Sequence, residues 1–351
     1  MIRMDFRYVR SLLGWWAFFA IPLACAERVD ASSEARCESL ETVSVPVADQ
    51  PGATERTRLD AACSSDEMYY AAPGQRDDAG ARLCAYLERE AGDEPMFSGA
   101  GILMMIYANA RGVPRNIRLA QKFACELGGA PAELDGRLAH LDQFAEHIAG
   151  AADAFDLCDD ITSGYMQGNC AIHAAQAEGL RRDARVEAIS ANWSVAHKAA
   201  LRTLRIAAVA YFDASAGEVD MSGTARVAMV VAAREEQEQA YLDALVKFER
   251  GEFPHGDAVS LKQADAALNA QYARLIKLAT PAEGADSVGA LGTVKVSDIR
   301  AAQRAWISYR DAWVAFCAEK YPQVAAEAWR EWLTRKRTAN FRQTTGVDGV
   351  P

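Results

Sequence analysis

Helical periodicity is the feature that most constrains what this chain can fold into. Apolar side chains recur at the i, i+3, i+4, i+7 spacing, for example at Leu103, Ile106, Tyr107 and Ala110, which puts them on one face of an α-helix. Strand-like alternation of apolar and polar residues occurs only over residues 42–47. Alanine, the strongest helix former, is abundant throughout. The sequence therefore predicts an all-α protein, with a short helical-repeat region followed by a disulfide-containing helical bundle.

The N-terminus has the pattern of a secretory signal. Three arginines, Arg3, Arg7 and Arg10, precede an apolar run at 11–24 that is shorter than the ~20 residues of a membrane-spanning helix. A small-x-small sequence then predicts cleavage after Ala26, so that residues 1–26 form a signal peptide. Two alternatives stay open, lipid attachment at Cys25 and a retained anchor. We expect a periplasmic or secreted protein, or an envelope lipoprotein that reaches the membrane only through Cys25.

Cysteine usage agrees with export. Seven cysteines follow residue 26, at positions 37, 63, 84, 125, 158, 170 and 317, so one thiol is left over if all the others pair. A turn-like segment separates Cys158 from Cys170, and this is the disulfide that we favour over two reduced, buried thiols. Closing a loop of this length stabilises the fold by about 3 kcal/mol in the chain-entropy model. The pairing of Cys37, Cys63, Cys84, Cys125 and Cys317 stays open at this point.

Composition and charge narrow the function classes. Half of the 351 residues are apolar and a quarter are charged, which excludes extensive disorder and suggests two domains or one array. The net charge of −10 argues against nucleic-acid binding by an exported chain. The acidic part is residues 27–150, with 21 Asp and Glu against 12 Lys and Arg, whereas residues 295–343 carry ten basic and five acidic side chains. The spacing of His, Cys and acidic residues matches no zinc site or nucleophile–base pair, so we predict no enzyme, metal or cofactor.

Two helical hairpins are predicted in residues 61–150, after an extended segment at 27–60. Helix, Gly-containing turn and helix recur about 37 residues apart, first over 66–88 and again over 101–127. The second unit resembles a Sel-type repeat, a relative of the tetratricopeptide repeat, through Leu103, Tyr107, Gly112 and further positions at 113, 116 and 120. This resemblance implies a protein-binding face; alternatively, the two units merely cap the next domain.

A second internal repetition has a period of 98 residues. It places the helix that contains Leu201 on the helix that contains Ile299, and it superposes Tyr211 on Tyr309. Two copies of one helical module would produce this match, and so would chance in alanine-rich helices.

Three motifs follow in the last hundred residues. They are Ala-Asp-x-x-Leu-Asn-x-x-Tyr at 264–272, Ala-Gln-x-x-Trp-x-x-Tyr-Arg-Asp at 302–311 and Leu-Thr-x-x-Arg-Thr at 333–338. The set resembles the N-terminal domain of LprI-type lysozyme inhibitors, and Cys158 and Cys170 resemble a cysteine pair that the family places before its first helix. The resemblance implies a domain over about 151–345, with a helical insertion at about 175–262.

The same resemblance implies a non-enzymatic binding protein whose partner is lysozyme or another cell-wall hydrolase. Lysozymes are typically basic, so an acidic surface would attract them, yet the motifs lie in the basic part of the chain. The alternative is an envelope adaptor that holds another protein with its helical repeats.

Six polar and aromatic motif residues are the candidate site, and we call them the motif cluster: Gln303, Trp306, Tyr309, Arg310, Asp311 and Arg337. One interpretation, which we favour, is a hydrogen-bonded network that ties helices together, with Arg337 reaching the other polar members. The other is a contact patch for a target protein, because interface hot spots are rich in Trp, Tyr and Arg.

Overall fold

A computed structural model describes residues 32–59, 63–71, 74–92, 96–146, 154–281 and 289–345. All of the long elements in these ranges are α-helices, which confirms the all-α prediction. None of the described helices is long and apolar enough to cross a membrane. The signal peptide predicted at 1–26, with Cys25, lies outside the described residues. The helices are α1 Ser33–Glu41, α2 Ala53–Arg58, α3 Ser65–Tyr70, α4 Asp78–Ala91, α5 Gly99–Ala108, α6 Ile117–Leu127, α7 Pro131–Glu146, α8 Gly164–Ser190, α9 Val195–Ser215, α10 Arg226–Glu249, α11 Ala258–Ala279, α12 Val296–Lys320 and α13 Ala326–Thr345.

The N-terminal half packs around α5. All ten residues of this helix are buried, as expected for a segment that is apolar on every side. Gly101 is required there, because a Cβ at this position would lie 2.5 Å from the carbonyl oxygen of Met96. The helix pairs α3–α4 and α5–α6 form where the two repeat units are predicted. Their assignment to the Sel-type family stays a prediction. Phe155 and Leu157 also pack into this core, although the predicted boundary at residue 151 assigns them to the following domain.

The segment at 27–60 differs from its prediction as an extended chain, because α1 and α2 lie within it. Neither helix has a wide apolar face, and only Leu40 of α1 is buried, so no periodicity marks either of them in the sequence. A disulfide and an ion pair to residues distant in sequence hold α1 in place instead. The Cys37–Cys125 disulfide joins it to α6, and Arg36 forms an ion pair with Asp142 of α7.

Two further disulfides lie in the described residues, Cys63–Cys84 and Cys158–Cys170. The second is the pair that the sequence favoured. It ties the start of α8 to the segment that packs into the N-terminal core. Cys317 is the one described cysteine outside a disulfide; it is buried in α12, and burial raises the pKa of its thiol.

The C-terminal half consists of two successive three-helix units, α8–α10 and α11–α13. The 98-residue shift places α9 on α12 and α10 on α13. Three of the four helix ends then agree within about three residues. The central helices, α9 and α12, run antiparallel: Trp193 beside the start of α9 contacts Phe316, and Gly217 after its end contacts Asp298. Residues 175–262, where an insertion is predicted, contain the end of α8, all of α9 and α10, and the beginning of α11.

Candidate functional site

The motif cluster lies on α12 and α13, and the beginning of the preceding helix, α11, is bonded to α13. Helix α11 begins at a capping box, in which the Asp257 carboxylate accepts hydrogen bonds from the backbone N–H groups of Val259 and Ser260 at 3.0 and 2.8 Å. The Ser260 hydroxyl in turn donates to Glu331 of α13 at 2.6 Å. The beginning of α11 is therefore tied to α13, which carries Arg337.

The aromatic members of the cluster are buried. Trp306 is 3% exposed and Tyr309 is 8% exposed. The ring of Tyr309 stacks on Tyr211 of α9, with 5.2 Å between the ring centroids and 22° between the planes. Burial raises the pKa of both tyrosines, so both remain protonated hydroxyls at neutral pH. Tyr309 therefore belongs to the contact between the two three-helix units, and Trp306 is part of the same buried hydrophobic cluster.

Arg337 is the polar centre of the cluster and is only 1% exposed. Its guanidinium donates to both carboxylate oxygens of Glu218 at 2.8 and 2.6 Å, to the Gln303 side-chain oxygen at 3.1 Å, and to the Tyr211 hydroxyl at 3.1 Å. Burial opposes its charge, yet Tyr211 and Glu218 outweigh this effect and raise the pKa of Arg337. Because Tyr211 and Glu218 belong to the first unit, Arg337 links the two units.

Arg310 and Asp311 lie outside this network. The Arg310 guanidinium donates to the neighbouring Asp311 carboxylate at 2.9 and 3.0 Å and lies 5.3 Å from the centre of the Trp306 ring. The Asp311 side chain is 57% exposed. Among the described contacts none joins either residue to Arg337; of the other polar motif residues, the structure brings only Gln303 to Arg337.

Glu218 and the role of Tyr211 are not predicted by the sequence. Glu218 lies in a short 3-10 helix after α9, within the segment interpreted as an insertion. The 98-residue shift did mark Tyr211 as the counterpart of Tyr309, so that signal was available. Glu218 carried no comparable signal.

The first unit also has a polar pair between its middle and third helices, comparable to Gln303 and Arg337 in the second. Arg205 of α9 donates both of its terminal nitrogens to Glu238 of α10. The 98-residue shift places Arg205 on Gln303, and Glu238 one residue before Arg337. Each unit thus links its middle and third helices through a polar side-chain pair at nearly corresponding positions, an ion pair in the first unit and the Gln303–Arg337 hydrogen bond in the second.

The buried cation of the cluster, Arg337, is compensated by one carboxylate, Glu218, and the hydroxyls of Tyr309 and its neighbour Tyr211 are neutral. The described residues also contain no group of three or more His, Cys, Asp or Glu placed to hold a metal ion.

Comparison with known proteins gives one match. Neither the curated proteins nor the solved structures contain a significant match to this chain. A family model described as "Lysozyme inhibitor LprI" matches residues 258–341, from the first residue of α11 to Phe341 in α13. The second three-helix unit, with all six residues of the motif cluster, is therefore the part of this chain that is similar to the LprI family.

Proposed function

We propose that this chain is an exported, non-enzymatic binding protein that inhibits lysozyme or a related cell-wall hydrolase. The observation that carries the proposal is the match of residues 258–341 to the lysozyme-inhibitor family. The network around Arg337 supports it, because Gln303 and Arg337, which come from separate motifs, meet in one hydrogen-bonded group.

Export is supported by two independent features. The described residues contain three disulfides, which persist in oxidising compartments such as the periplasm or the cell exterior. The sequence also predicts a signal peptide at 1–26. We therefore propose a periplasmic or secreted protein, with lipid attachment at Cys25 as the alternative that would hold it at the membrane.

Lysozyme turnover tests the proposal directly. Oxidised full-length protein is added in increasing amounts to a lysozyme that is digesting cell walls, and the initial rate is measured. We expect the rate to fall to a plateau as the enzyme is saturated, and reduced, unfolded protein serves as the control. An unchanged rate at large molar excess of folded protein would refute the inhibitory function.

An envelope adaptor is the second candidate, favoured by the two helical hairpins α3–α4 and α5–α6. It predicts a stable protein partner that is not a cell-wall hydrolase. Affinity purification with the full chain from envelope extract, followed by reconstitution with the purified partner, distinguishes the two: only an inhibitor slows a hydrolase.

A further inference from the structure

We propose that a groove at the junction of the two halves is the docking surface for a basic protein partner. The groove lies where α8 passes α3 and α4, and we call it the junction groove. It is outside the segment that matches the inhibitor family. The identity of the partner as a lysozyme rests on the proposed function; the place and chemistry of the surface do not.

The junction groove is large and mainly apolar. It encloses about 980 Å³, which is at the upper end of ordinary ligand pockets. Its apolar lining includes Met96, Phe97, Met166 and Ile172, contributed by both halves of the chain. A volume of this size accommodates one or more side chains of a protein partner.

Large apolar side chains are exposed at this groove. Tyr165 is 71% exposed and Ile172 is 40% exposed, and both line it. They are seven residues apart on α8, which places them on the same face two turns apart. An apolar patch of this kind with polar surroundings marks interaction sites, and tyrosine is among the residues enriched at interface hot spots.

Charge complementarity specifies a basic partner. One wall of the groove belongs to the acidic part of the chain, residues 27–150, whose net charge is −9, and the α8 residues of the other wall include no Asp, Glu, Lys or Arg. Asp66 lines it, and the exposed Glu67 follows on α3. The one arginine in the lining, Arg56, is paired with Glu90, so its charge is compensated. The surface therefore fits an apolar side chain flanked by lysine or arginine.

The groove is already formed before any partner binds. The His173 ring stacks on Phe97 with 4.0 Å between centroids, and its centroid lies 4.2 Å from that of Tyr70. The Tyr70 hydroxyl donates to Asp156 at 2.9 Å. The Cys158–Cys170 disulfide fixes α8 one turn before His173. Little conformational entropy is then lost on docking, which favours tight binding.

The motif cluster is poorly suited to the same role. Its two aromatic side chains and Arg337 are almost fully buried and line only a small cavity of about 230 Å³, so they offer a protein partner little contact area. If the chain inhibits a hydrolase, its main contact surface therefore lies away from these three side chains.

Binding of variants to a purified basic c-type lysozyme tests the groove. Calorimetry is performed with oxidised full-length protein and with the double variant Tyr165→Ala/Ile172→Ala, which we expect to bind about 30-fold more weakly. Leu180→Ala is the matched control, because Leu180 is 75% exposed on the same helix but does not line the groove. Both exposed sites tolerate truncation, and equal melting temperatures check that the fold is kept.

A charge variant separates local from global attraction. Asp66→Asn/Glu67→Gln should weaken binding about tenfold at low ionic strength, and the loss should shrink as salt screens the charges. Glu34→Gln/Glu38→Gln removes the same charge from α1 and should change affinity by less than about twofold. Hydrogen exchange of the wild-type protein gives a second readout, with lysozyme-dependent protection expected over residues 165–176.

The outcomes distinguish the two proposals. Binding of lysozyme that is unaffected by both groove variants, or protection elsewhere, would overturn the junction groove while leaving the inhibitory function intact. Binding that depends on the groove but leaves lysozyme turnover unchanged would support the groove and refute inhibition. No detectable binding to lysozyme would overturn the groove as a lysozyme-docking surface.

Discussion

Removing the Arg337 side chain is the sharpest test of how the two units are held together. Arg337→Ala removes two hydrogen bonds to Glu218 and one each to Gln303 and Tyr211, all from a position that is 1% exposed. It also leaves the carboxylate of Glu218 with no compensating charge, at a site that is 10% exposed. Removing one partner of a buried ion pair costs about 3–5 kcal/mol, and we expect the free energy of unfolding to fall by this amount.

Intrinsic tryptophan fluorescence during urea unfolding measures this loss in the free energy of unfolding. All five tryptophans beyond residue 26 lie between positions 193 and 332, so the signal reports only on the C-terminal units. Arg310→Ala is the control: its partner Asp311 is exposed, and we expect a change below about 1 kcal/mol. Adding Glu218→Gln to Arg337→Ala should recover part of the loss, because the unpaired buried charge is gone. An Arg337→Ala protein that unfolds like the wild type would refute the reasoning.

Trp306, the Cys158–Cys170 disulfide and His173 each give a further prediction. Trp306→Ala should lower the free energy of unfolding by about 3–5 kcal/mol in a urea titration, because it empties a buried site; a loss below about 1 kcal/mol would contradict that burial. Replacing Cys158 and Cys170 together by alanine should cost about 3 kcal/mol, and mass spectrometry of the unfolded, unreduced wild type should show alkylation at Cys317 but not at Cys158. Burial lowers the pKa of His173 below 6.5 although Asp66 and Asp156 oppose this. The stability that neutral His173 contributes is therefore present above its unfolded-state pKa of about 6.5 and is lost as the pH falls below that value, and His173→Phe should abolish this part of the pH dependence in thermal melts; an unchanged profile would show that His173 titrates normally.

Much of the helical fold follows from local sequence patterns. Periodic apolar residues predicted α5, which is buried along its whole length, and the helix–turn–helix repetition predicted α6. By contrast, α1 and α2 went unpredicted because they bury almost nothing, and a disulfide to α6 holds α1. A contact between residues 88 positions apart leaves no trace in local periodicity.

The candidate site could be predicted only in part. Motif spacing identified Gln303 and Arg337, and the structure brings them together. It did not identify Glu218, because one acidic residue in an irregular segment looks like many others until the chain folds. The separation of Arg310 from Arg337 was also hidden, since their helices alone do not determine which side chains point inward at a crossing.

The apparent inhibition constant of oxidised full-length protein for a basic lysozyme tests the central claim most directly. Rates are measured at fixed enzyme with increasing protein, on a soluble oligosaccharide substrate so that binding to cell walls plays no part. The proposed function predicts saturable inhibition with a defined stoichiometry, weakened by added salt because acidic and basic surfaces attract each other. A lysozyme rate that stays constant across the whole titration would contradict it.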